Sequence, residues 1–114
     1  MIECKGKVKG EKKEYKGKFV VNSGSDVVLL PRKIAEIIAP KLVGEGELIL
    51  ADGSRVKRLI YEVMVEITDS KGKVKSCNAY ATIEEREDVV ISIEVLEKLG
   101  AIIDVRERKI LFKD

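Results

Sequence analysis

Phe19-Val20-Val21-Asn22-Ser23-Gly24-Ser25 runs three apolar residues into a small polar group, and Val27-Val28-Leu29-Leu30 resumes the apolar pattern after Asp26. The first run reads as a buried strand, and the polar group must turn the chain at its end. Gly24 supplies the backbone freedom for that turn, while Asn22, Ser23 and Ser25 set polar groups at the end of an apolar wall. Polar atoms in such a place bond one another or act on a ligand, because an unpaired buried group costs roughly 1–3 kcal/mol. The stretch is therefore the candidate site.

Working outward, Pro31 to Ala39 predicts a short helix with Ile34, Ile37 and Ile38 on one face, begun by Pro31 and stopped by Pro40. Glu47–Ala51 and Ser54–Arg58 flank Asp52-Gly53, which predicts a hairpin with a two-residue turn. Tyr61 to Ile67 alternates as a further strand, with Tyr61, Val63, Val65 and Ile67 on one side and Glu62 and Glu66 on the other. Asp69-Ser70-Lys71-Gly72 turns the chain into a strand over 74–83, and 84–88 is a charged loop. Val89-Val90-Ile91 is an apolar strand, Ile93 to Leu99 a short helix closed by Gly100, and 101–105 and 109–112 a last pair of strands. Many short strands and two short helices describe a mostly β domain spanning residues 1–114.

The totals bound what such a domain can do. Apolar residues make up 45% and charged residues 37%, a soluble globular composition with no apolar run near the ~18 residues of a membrane-spanning helix. The start, Met1-Ile2-Glu3-Cys4-Lys5, does not resemble a signal peptide, so a cytoplasmic location is expected. Dense mixed charge without Trp matches the ion-pair networks of thermophile surfaces and equally suits any highly soluble small domain. Cys4 and Cys77 are expected as free thiols. The absence of His removes Ser-His and Cys-His nucleophilic machinery and the common His-bearing zinc sites. Among the usual hydrolytic mechanisms, carboxylate chemistry and metal held by carboxylates are left; no cofactor is expected and no residue is named as a metal ligand.

A net charge of +2 makes no general case for nucleic acid. The segment from Lys5 to Lys18 holds seven Lys and two Glu, which reads as an edge hairpin whose lysines discourage strand-on-strand association. A basic arm for nucleic acid is the lesser reading, because only Tyr15 interleaves the charges. Gly44-Glu45-Gly46 lacks the third glycine and following helix of a dinucleotide loop.

The opening stretch resembles the active-site loop of the retropepsin-like aspartic proteases, apolar-apolar-Asp-Thr/Ser-Gly-Ala/Ser. Val20-Val21 and Ser23-Gly24-Ser25 match, and Asn22 stands where the family carries its catalytic aspartate. The hairpin tip Ala51-Asp52-Gly53-Ser54 occupies the place of the family's substrate-covering flap. Val90-Ile91-Ser92-Ile93-Glu94-Val95-Leu96 is similar to the family's apolar-apolar-Gly-x-x-apolar-Leu segment, with Ser92 for the glycine. The resemblance covers about residues 15 to 112 and implies a closed acid-protease barrel. It also implies a homodimer in which each subunit brings one catalytic loop, acting on peptide or protein substrates. By the same resemblance, Ser23 would bond across the dimer and Ser25 would bond the catalytic side chain.

In such a site two facing carboxylates share one proton; one takes a proton from water while the other polarises the peptide carbonyl. A carboxamide keeps the shape and hydrogen bonds but cannot accept that proton, so the chain as written is expected to be nearly inert. Asn22 is then an Asp→Asn variant of an endopeptidase, or the mark of a natural non-catalytic peptide-binding or dimerisation module. Deamidation of Asn22-Ser23 is a further route back to aspartate. Asp26, Asp52 and Asp104 are candidate replacement carboxylates, but Asp26 is expected to pair with a basic residue or the loop backbone, Asp52 to serve its turn and Asp104 a strand end.

Overall fold

The computed structural model describes residues 1–22, 24–50 and 52–113. Its elements in chain order are β1 (Glu3–Lys9), β2 (Glu14–Val21), β3 (Val28–Pro31), α1 (Arg32–Ile38), β4 (Lys41–Ile49), β5 (Arg55–Thr68), β6 (Val74–Glu84), β7 (Val90–Ile91), α2 (Ile93–Leu99), β8 (Ala101–Asp104) and β9 (Lys109–Phe112). Seven strands form one sheet in the order β1-β2-β7-β3-β6-β5-β4, and β1 also pairs with β5. That extra pairing closes six strands into a barrel and leaves β4 outside it, paired only with β5. β8 and β9 form a separate antiparallel ribbon.

Strand alternation fills the barrel. Val8, Phe19, Val28, Leu30, Val63, Val65, Ile67, Ala79, Ala81 and Ile91 are all buried. The inward residues of β5 are those that the alternation predicted, Val63, Val65 and Ile67, with Tyr61 half-buried at the end of the row. α1 contributes Ile34, Ala35 and Ile38 to the core, and α2 contributes Val95, Leu96 and Leu99. Ile110 and Phe112 of the ribbon close the same cluster. The closed barrel, the projecting hairpin and the two short helices are as expected from the sequence.

Four local expectations need correction. The Lys-rich hairpin is not a free edge: β1 has hydrogen-bonded neighbours on both sides and is the strand that closes the barrel. Arg55–Thr68 is one strand of fourteen residues, not two. Its less exposed positions shift from Val56, Arg58 and Ile60 to Tyr61, Val63, Val65 and Ile67, because the strand changes surroundings as it leaves the barrel. In the sequence that change of phase looks like a break. β4 begins at Lys41 and runs through Gly44 and Gly46, with a bulge between Leu42 and Gly44 where Gly44 has φ 156°. At the hairpin tip the Leu50 N–H donates to the Ser54 carbonyl (2.8 Å) and the Gly53 N–H to the Leu50 carbonyl (2.9 Å), so the connection is longer than Asp52-Gly53. Gly53 has φ 86°, the left-handed conformation such a tip needs.

Pro31 ends β3 and stands at the N-cap of α1, which stops at Ala39 in a left-handed conformation before Pro40. α2 occupies the predicted residues, with Gly100 left-handed at its C-cap. No helix among the described residues is long and apolar enough to cross a membrane.

Candidate active site

The loop after β2 is anchored on both sides by backbone. Val20 donates to the Val89 carbonyl (2.9 Å) and Asn22 to the Ile91 carbonyl (3.1 Å), so the chain leaves β2 beside β7. The Asn22 carbonyl then accepts from Ser25 N–H (3.2 Å), and the Ser25 carbonyl from Ile93 N–H (2.9 Å). The loop is thus tied to the first residue of α2. Ser92, wholly buried, caps that helix by accepting the Val95 N–H at 3.5 Å. The serine that departs from the family's glycine therefore has a local role.

Asn22 is exposed, and its Oδ1 accepts the Gly24 N–H at 2.9 Å. A Cβ at position 24 would lie 3.2 Å from that oxygen, so glycine keeps the approach open. Ser25 Oγ donates to the Val27 carbonyl at 2.6 Å. The short reach of serine favours the carbonyl two residues on, a local pattern that competes with longer contacts. Ser23 and Ala51 lie outside the described residues, so their expected roles stay with the sequence reading.

At the hairpin tip, Asp52 Oδ1 accepts from both the N–H (2.9 Å) and the hydroxyl of Ser54. The Ser54 hydroxyl, then its N–H, hold the Asp52 carboxyl below its ordinary value. Asp104 Oδ1 accepts the Glu107 N–H (3.0 Å) in the β8–β9 turn, and Asp26 is exposed. Asp52 and Asp104 serve their own turns, as the sequence suggested. Among the described residues no hydrogen bond joins the Asn22 loop to the Leu50–Ser54 tip. Cys4 and Cys77 are free thiols, and burial, then Glu3, pushes Cys4 up to about 12. A depression of about 690 Å³ lies against α1 between Tyr15, Arg32, Ile37 and Glu85, away from this loop.

A six-stranded closed barrel, a projecting hairpin and a strand-end Asn-Ser-Gly loop tied to a short helix make this a retropepsin-like fold. The solution structure of simian foamy virus (mac) protease is similar, with TM-score 0.60 and 13% identity over 85% of this chain and 93% of that one. The crystal structure of the retroviral protease-like domain of Ddi1 from Leishmania major is also similar, with TM-score 0.63 and 15% identity over 100% of this chain and 89% of that one. No family model and no curated protein matches the sequence.

Proposed function

We propose that this chain is one subunit of a homodimeric aspartic-type endopeptidase, held silent by the carboxamide at position 22. The observation that carries the reading is Asn22 itself, exposed at the end of a barrel strand with its side-chain oxygen fixed by the Gly24 N–H. One loop offers one side chain, and the reaction needs two, so the site is completed by a second copy. An extended peptide would lie between the paired loops and the hairpin arm, bonding main chain to main chain, with side-chain pockets setting preference. Ile49 and Leu50, 70% and 42% exposed near the tip of that arm, supply apolar surface to cover it.

With carboxylates at both positions, their proximity would force them to share a proton. The ionised one would take a proton from the attacking water, and its protonated neighbour would polarise the scissile carbonyl. Glycine at 24 would let substrate backbone approach the loop. With carboxamides the water has no base, which removes about 10²–10⁴ in rate. The expected outcome is that Asn22→Asp, and not the unchanged chain, cleaves an unstructured protein somewhere between about pH 3 and pH 7, with inhibition by pepstatin. If both are folded dimers and neither cleaves, a non-catalytic peptide-binding or dimerisation module is the better account.

A further inference from the structure

Lys5 and Lys7 guard no edge, since β1 is hydrogen-bonded on both sides. Their register even carries a cost. Lys5 stands opposite Lys18, and Lys7 opposite Lys16. Cβ atoms of directly opposed residues lie about 4.5–5.5 Å apart, and like charges there destabilise a sheet. Cys4, Val8 and Phe19 alternate into the core, so the four lysines leave together from the outer face of the barrel. Lys7 is offset by Glu14 (3.0 Å) and Glu66 (3.7 Å). Lys5, Lys16 and Lys18 are exposed and make no ion pair among the described residues. Together with Lys7, Glu66 and Thr68 they line a depression of about 450 Å³.

We propose that this face binds the phosphate backbone of a duplex nucleic acid, with Lys5, Lys16 and Lys18 as its phosphate contacts. A polyanion laid across the opposed lysines replaces their repulsion by attraction and releases its own counterions. The surroundings select the kind of polyanion. Protein–protein interfaces are depleted in Lys and anchored by aromatic residues and Arg, and the depression is lined by neither of these anchors. Single strands are held by bases stacked on aromatic rings. The one ring between Lys5 and Lys18 is Tyr15, on the other side of β2 from Lys16 and Lys18. It is stacked instead on Phe19, with centroids 6.4 Å apart. Ammonium groups are left, and they meet phosphates without reading bases. The chain's net charge of +2 does not oppose this, because phosphates feel the field within a Debye length of about 10 Å. The site does not use position 22, so it stands or falls apart from the protease reading.

The test is fluorescence anisotropy of a short labelled DNA duplex titrated with the full chain as salt is raised. Three phosphate contacts predict that log K falls with log salt at a slope of about −3. Lys16→Gln/Lys18→Gln is expected to weaken binding several-fold and to reduce the slope to about −1. It should melt no lower than the unchanged chain at low salt, because it removes repulsion. Lys41→Gln/Lys57→Gln makes the same charge change on the projecting arm and is expected to leave affinity and slope almost unchanged. Duplex RNA of equal length should compete alike, and a single strand several-fold less well. No binding at low salt, equal losses in the two double variants, or tighter binding of the single strand overturns the proposal. So does a lower melting temperature of Lys16→Gln/Lys18→Gln, which would give the lysines a structural role. Displacement by polyglutamate as readily as by unlabelled duplex would overturn it in favour of an acidic polypeptide.

Discussion

The carboxylate of Asp69, buried at the end of β5, accepts three backbone N–H groups: Lys71 (2.9 Å) and Lys73 (2.8 Å) on Oδ1, and Phe112 (3.1 Å) on Oδ2. Burial pushes its pKa up, but the N–H groups of Phe112, Lys73 and Lys71 and the charge of Lys73 outweigh it, and the carboxyl titrates below its ordinary value. The folded value lies under the unfolded one, about 3.9, so the stabilisation is full above that pH and is lost as pH falls through the folded value. Asp69→Asn is therefore expected to lower the melting temperature by several degrees at neutral pH, with the gap narrowing in acid. A gap that stays constant from neutral to strongly acidic solution would remove the carboxylate from the account. At Cys4, burial keeps the thiol protonated, so alkylation at neutral pH should require unfolding. Native labelling at the rate of the unfolded chain would contradict that. The Asp-Ser-Lys-Gly turn was legible in sequence, but its bond to a strand 43 residues away was not.

Among the elements, the β1–β2 pair shows how packing fixes sequence. Gly6 stands opposite Gly17, and a Cβ at Gly6 would sit 2.5 Å from the Phe19 ring and 3.1 Å from the Glu66 carbonyl. Phe19 is wholly buried and the carbonyl is backbone, so neither can give way. Gly6→Ala is expected to cost about 1–3 kcal/mol, the usual range for overpacking, read as a lower urea midpoint. An unchanged midpoint would mean that the ring has room that this packing denies. Local signals had been sufficient for α2, where Ser92 starts and Gly100 ends the helix at the predicted residues. They failed for β5, since periodicity reports which side is covered and not whether the chain continues.

For the whole molecule, closure depends on β1 reaching both β2 and β5, a long-range pairing that no local pattern encodes. The lysines that suggested an open edge are the outward half of a strand whose inward half is Cys4 and Val8. Closure uses up the sheet edges around the barrel but leaves β4 with one neighbour and the Asn22 loop exposed. A second copy placed loop to loop would cover the exposed loop and bring together the two side chains that the proposed chemistry needs. Folding would then be linked to association, and the melting temperature should rise with protein concentration. Sedimentation should give twice the 12.7 kDa chain mass, and hydrogen exchange at Gly24 and Ser25 should slow as dimer forms. A monomer at all concentrations, with a constant melting temperature, would leave each loop alone; Asn22→Asp would then have no second carboxylate with which to share a proton.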